Sequence, residues 1–145
     1  PDAAVIGTTI LHDYQLLFRG GRHSGVATIE MKQGAKVPVL LWQITEKCEK
    51  ALDRYEGHPH LYRKKRLMVN LDGDELVAMA YVMNEGPPLA MPDAYYYATI
   101  LDGYHDCGFD EQILKEAVMY TKDLQDVQKR KSERPFCIDV LAKLP

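Results

Sequence analysis

The chain has 145 residues, 46% of them hydrophobic and 27% charged, which fits one domain with its own core and excludes a disordered segment. Eighteen Lys and Arg against 21 Asp and Glu leave a formal charge of −3, the wrong sign for a basic nucleic-acid binder. No apolar run approaches the roughly 18 residues of a membrane span, and no signal-peptide pattern opens the sequence, so a cytoplasmic domain is expected. Cys48, Cys107 and Cys137 form no CxxC, which predicts reduced, mostly buried thiols rather than a disulfide framework or a zinc knuckle.

Ile6 to Phe18 is rich in β-branched and apolar residues and ends at the breaker pair Gly20-Gly21, which predicts a strand. GVATIEM at 25–31 alternates as a second strand does, Gly34 breaks the pattern, and VPVLLWQI at 37–44 predicts a third, buried strand. Its Pro38 belongs at the strand's start or on a sheet edge. Thr45 then caps a helix in which Ile44, Cys48, Leu52 and Tyr55 recur at helical spacing, and Gly57 stands where a terminator belongs.

Tyr62 to Leu71 and Leu76 to Met83 predict a hairpin turned at Asp72-Gly73. NEGPPLAMP at 84–92 is a loop. Pro92-Asp93 opens a helix through Tyr96, Tyr97, Ile100, Leu101 and Tyr104 that ends near Gly108. Asp110 caps a longer helix carrying Ile113, Leu114, Ala117, Val118, Leu124 and Val127, whose solvated end, QKRKSER, precedes the apolar tail PFCIDVL. Strands first and helices last predict an α+β domain over 1–145, with a mixed, mainly antiparallel, barrel-like sheet and flanking helices.

Glu56 draws attention because it comes after the apolar face of the first helix and immediately precedes Gly57. A helix C-terminus favours cations, so a carboxylate there is misplaced by a few tenths of a kcal/mol. Burial near Tyr55 and Tyr62 would raise its pKa, as general acid/base work at neutral pH requires. The bland alternative is an exposed helix-end Glu.

Other candidates carry less. His58 and His60 alternate as paired metal ligands do, but no third ligand stands at recognisable spacing, which favours loop histidines. Tyr62-Arg-Lys-Lys-Arg66 splits its charges between two faces of a strand and makes no single basic patch. DGDE at 72–75 lacks the ligand series of a calcium loop. Tyr95, Tyr96, Tyr97 and Tyr104 read mostly as core packing, with one hydroxyl free to project into a pocket. GxSxG, GxGxxG, P-loop and HExxH motifs do not occur.

One resemblance runs through most of the chain, from about Ala4 to Leu124. GVATIE at 25–30, VPVLLWQIT at 37–45, ALDRYEG at 51–57, LYRKK at 61–65, AYVMN at 80–84, MPDAYYYATILDGY at 91–104 and GFD at 108–110 appear in order. Together they resemble the γ-glutamylcyclotransferase-like family, in one of its microbial branches. The resemblance implies a small barrel-like sheet with flanking helices, and release of 5-oxoproline from γ-glutamyl compounds without metal or cofactor. Its D-x-x-E-G motif falls on Asp53, Glu56 and Gly57, which implies Glu56 as the catalytic acid/base and Gly57 as part of the substrate site. Two family tyrosines near the substrate fall on Tyr62 and Tyr96, the latter flanked by Tyr95 and Tyr97.

The implied partners are a small γ-glutamyl substrate and, as an assembly to consider, a second copy of the chain, with neither nucleic acid nor membrane. Family members also carry a first strand and a YGSN-type loop, and the sequence as given begins at Pro1-Asp2 without them. That departure keeps open a non-catalytic module that binds a small amine-bearing or γ-glutamyl ligand on the same scaffold.

Overall fold

The computed structural model describes residues 3–133. β1 (Ala4–Gly21) and β2 (Ser24–Gln43) form one long antiparallel ribbon, with Phe18 opposite Ala27, Tyr14 opposite Met31 and Thr8 opposite Leu40. The sequence predicts two strands, at 25–31 and 37–44, where the chain builds one. The register jumps between His12 and Tyr14, and the strand continues through Gly34 instead of ending there. Asp13 takes the left-handed conformation at φ 65 and accepts the Gly34 N–H at 2.9 Å on Oδ1, so the break in pattern is absorbed as an irregularity within the ladder. Among the described residues β2 pairs along one edge only, a setting that tolerates Pro38.

After α1 (Glu46–Glu56), β3 (Tyr62–Leu71) and β4 (Asp74–Met83) make the second antiparallel ribbon. Its turn residues Asp72 and Gly73 both have positive φ, 52 and 90, which matches the right-handed twist of the strands and starts β4 two residues before the predicted Leu76. The α+β architecture with antiparallel sheets and flanking helices is as expected. Among the described residues both pairings are antiparallel, and the two ribbons do not close into a barrel. They pack face to face through Leu11, Leu41, Leu67 and Val69, all buried.

α2 (Ala94–Cys107) and α3 (Glu111–Glu133) pack on the first ribbon beside that cluster. Phe18, Leu16, Tyr104, Leu114 and Ala117 form the core there, with Phe18 and Leu114 both at 0% exposure. Asp93 caps α2 by accepting the Tyr96 N–H at 2.7 Å, and Gly108 ends it in the left-handed conformation. The 84–92 loop lies against the ribbon end, where Ala90 N–H reaches the Phe18 carbonyl and Gly25 N–H reaches that of Met91. Gly25 is required at this approach, because a Cβ would stand 1.9 Å from the Ala90 carbonyl oxygen. Cys48 and Cys107 are half-buried rather than fully buried. Cys137 and the predicted tail lie outside the described residues.

Thr121 joins α3 to β1. Its hydroxyl accepts the Phe18 N–H at 3.1 Å and donates to the Ala117 carbonyl at 2.9 Å, with no exposed surface. Thr121→Val keeps the shape and strands the Phe18 N–H, so it is expected to cost about 1–3 kcal/mol. Urea unfolding of the two proteins checks this; a loss of a few tenths would mean that the bond contributes little.

Candidate active site

α1 begins at Thr45, whose side chain accepts the Cys48 N–H at 3.2 Å, and carries Glu46 and Glu49 in its first turn and Arg54 in its last. All of these suit the helix dipole. Glu56, the final helical residue, does not. The helix stops because Gly57 turns left-handed at φ 66, ψ 35, with its N–H returning to the carbonyls of Arg54 and Asp53. A side chain at 57 would bring its Cβ within 2.9 Å of Leu61 Cδ1.

The loop from Gly57 to Leu61 is fastened to β4. Asn84 donates from its side-chain amide to the Pro59 carbonyl at 2.6 Å and the His60 carbonyl at 3.0 Å, while its backbone N–H reaches Leu61. The chain thus re-enters the ribbon at Tyr62 close to the helix end it has just left. Glu56 is half-buried, and that burial pushes its pKa above the ordinary carboxylate value. Tyr62 is pushed up to about 12, first by burial, then by the neighbouring Tyr96 and Glu56. Tyr62 is therefore within electrostatic reach of both Glu56 and Tyr96. Among the described residues no hydrogen bond ties the Glu56 carboxylate to another side chain.

Tyr96 is set apart from its neighbours by tertiary contact. Its hydroxyl accepts the Ala27 N–H at 3.0 Å, whereas Tyr95 is 85% exposed, Tyr97 packs against the core and Tyr104 is buried. Asp53 has the opposite environment from Glu56, although only three residues separate them. The Tyr81 hydroxyl donates to its Oδ1 at 2.5 Å and Lys64 Nζ lies 3.0 Å from its Oδ2. Tyr81 and then Lys64 hold the Asp53 carboxyl below the usual range, against the opposing effect of burial. Lys64 also reaches Glu49 Oε2 at 2.5 Å. Sequence reasoning missed Glu49, Lys64 and Tyr81; the available signal was the i,i+4 pair Glu49 and Asp53 on one helix face.

The remaining candidates are placed elsewhere. His58 packs edge-on against Tyr81, with ring centroids 6.4 Å apart, and His60 is exposed. Among the described residues no group of three or more His, Cys, Asp and Glu is placed to hold a metal ion. The 62–66 charges do divide between faces: Lys64 meets α1, Lys65 lies 5.2 Å from the centre of the Tyr14 ring, and Arg63 donates to the Met83 carbonyl. A cavity of about 420 Å³ lies among Arg19, Glu30, Arg63, Lys65 and Glu85, where cations and carboxylates alternate. A more apolar one of about 690 Å³ lies among Ile6, Leu40, Trp42, Leu52 and Val77. Neither is lined by Glu56, Tyr62 or Tyr96.

The family model of gamma-glutamyl cyclotransferase, AIG2-like proteins matches residues 2–104, a span that holds Glu56, Tyr62 and Tyr96. No curated protein matches the chain in sequence. Among solved structures, an uncharacterized protein from Homo sapiens and a gamma-glutamyl cyclotransferase each superpose with a TM-score of 0.68 at 25% identity, over 81% of this chain and 74% of theirs. YkqA from Bacillus subtilis superposes with a TM-score of 0.69 over 81% of this chain and 44% of its own; at 16% identity that likeness concerns the fold alone.

The raised pKa of Glu56 has a consequence for stability. Between the ordinary value of 4.5 and the raised one, the folded chain binds the proton more tightly than the unfolded chain, so ionising Glu56 removes stability as pH rises through that window. Glu56→Gln is therefore expected to be more stable than the parent at neutral pH, with the gain fading towards about pH 4. Urea midpoints at the two pH values decide it; an equal or lower midpoint for the variant at neutral pH contradicts the environment described.

Proposed function

The chain belongs to the gamma-glutamyl cyclotransferase, AIG2-like family, and we propose that it cyclises a γ-glutamyl amine or peptide to 5-oxoproline with Glu56 as the proton-transfer group. The observation that carries this is the opposite setting of two carboxylates on one helix. Asp53 is held ionised by Tyr81 and Lys64, while Glu56 is half-buried, raised in pKa and, among the described residues, without a side-chain hydrogen bond. Environments that push two acids apart are how proton-transfer groups are separated from structural ones.

In this reading the substrate supplies its own nucleophile. Its α-amine attacks its γ-carbonyl carbon, a C–N bond forms in a five-membered lactam, and the bond to the departing amine breaks. Tethering brings the reacting atoms together, so the protein's tasks are orientation and proton movement. Glu56 takes the proton that the amine must lose and returns it to the departing nitrogen. Nothing in that sequence of steps calls for a metal or a redox cofactor. Tyr62, with its phenol at about 12, keeps its O–H at neutral pH and can donate to the substrate. Tyr96 accepts from Ala27 through its oxygen and retains its own proton as a donor. Gly57 lets the backbone approach without a Cβ. We place the reaction in the cytoplasm, in keeping with half-buried cysteines outside any CxxC.

Incubation with a panel of γ-glutamyl amines and dipeptides, read by mass spectrometry, is expected to show 5-oxoproline. Glu56→Gln is expected to lower turnover by about 10²–10⁴-fold. The rate should climb as Glu56 ionises, with its acid limb above the ordinary carboxylate range. Undiminished turnover in the variant contradicts the role of Glu56. Saturable binding of a γ-glutamyl ligand with no product from any substrate would instead favour the binding module.

A further inference from the structure

α1 has no fully buried residue, so apolar packing alone does little to fix its rotation over the β3–β4 ribbon. Polar contacts take that part. Lys64 Nζ lies 2.5 Å from Glu49 and 3.0 Å from Asp53, one turn apart on the helix, and the Tyr81 hydroxyl donates to Asp53 at 2.5 Å. Lys64 and Tyr81 are themselves register partners across the ribbon. One rung of the sheet therefore grips two successive turns of α1. Glu56 stands three residues beyond Asp53, and Tyr62 stands two before Lys64, on the same face of β3. Any rotation or slide of α1 changes the separation of Glu56 and Tyr62 directly.

We propose that Lys64 is a positioning residue: by bridging Glu49 and Asp53 it locks α1 in the rotation that sets Glu56 against Tyr62 and keeps the Glu56 carboxyl partly out of water. This rests on Glu56 being the proton-transfer group, but its effect is on a property that can be read without turnover. The groups around Lys64 are Glu49 and Asp53 from the helix and Tyr81 from β4, with His58 packed on Tyr81. The two carboxylates hold the Lys64 ammonium charged well above the ordinary lysine range. A positioning role and a purely electrostatic one have opposite signatures. Removing a nearby cation raises the pKa of a carboxyl, whereas releasing the helix end hydrates Glu56 and lowers it.

The test is the NMR titration of the Glu56 carboxyl in the intact chain, for the parent, Lys64→Met and Lys64→Arg. The Met variant is expected to titrate closer to the ordinary carboxylate value and the Arg variant to stay with the parent. Turnover should change in step, with kcat lower by roughly tenfold in the Met variant at near-constant KM, and restored by Arg. A Glu56 titration in folded Lys64→Met that is unchanged, or raised, overturns the proposal. Should Lys64→Met fail to fold, Tyr81→Phe removes one contact to Asp53 without stranding a charge. It is expected to shift the titration in the same direction by less, and no shift there overturns the proposal too. A parent protein that folds and releases no 5-oxoproline contradicts the proposed reaction, and leaves the titration to decide the role of Lys64.

Discussion

The left-handed turn at Gly57 is the constraint that shapes the site. A residue with a side chain there would cost about 1–2 kcal/mol in backbone conformation alone, and its Cβ would collide with Leu61. With glycine in place, α1 stops at Glu56, the chain doubles back through a loop held by Asn84, and β3 begins at Tyr62. Two residues six apart in sequence are thereby brought close enough for Glu56 to help raise the Tyr62 pKa. The same turn leaves Glu56 at the carbonyl end of a helix, where its negative charge is least favoured. Burial adds to that cost, and a carboxylate held against both is one that gains a proton readily.

That local cost is carried by a scaffold that is well satisfied elsewhere. The two ribbons bury Leu11, Leu41, Leu67 and Val69 between them, and α2 and α3 close over Phe18 and Leu16. Backbone groups at the ribbon edges find side-chain partners: Phe18 N–H on Thr121, Ala27 N–H on Tyr96, and Met83 N–H on Thr28. Among the described residues no buried side-chain nitrogen or oxygen lacks a hydrogen-bond partner. Tyr96 completes the edge of β2 and also raises the Tyr62 pKa electrostatically. On the proposed function, site and scaffold share Tyr96, and the proposed proton-transfer group stands at the end of a helix instead of on a loose loop.

Much of this was readable from local pattern because the governing physics is local. Thr45, Gly57, Asp93 and Gly108 act at the helix ends where capping chemistry predicts them, and Asp72-Gly73 turns the second ribbon. Glu56 was legible as a charge on the wrong end of a helix. What sequence could not supply is long-range. Gly34 reads as a strand break, yet Asp13, 21 residues earlier, accepts its N–H and the ladder continues. Three consecutive tyrosines are equivalent by spacing, and only the approach of Ala27 distinguishes Tyr96. Lys64 reads as one member of a solvated basic run until α1 is laid over β3 and presents Glu49 and Asp53 to it.

The decisive measurement is a crystal structure of Glu56→Gln grown with an intact γ-glutamyl amide. The substrate is predicted to lie with its α-nitrogen within hydrogen-bond reach of the side chain at 56 and its γ-carbonyl beside the Tyr62 hydroxyl. A substrate seated instead in the cleft between Arg19 and Lys65, or in the apolar cavity beside Trp42, would contradict the assignment of Glu56 and Tyr62 to the reacting centre.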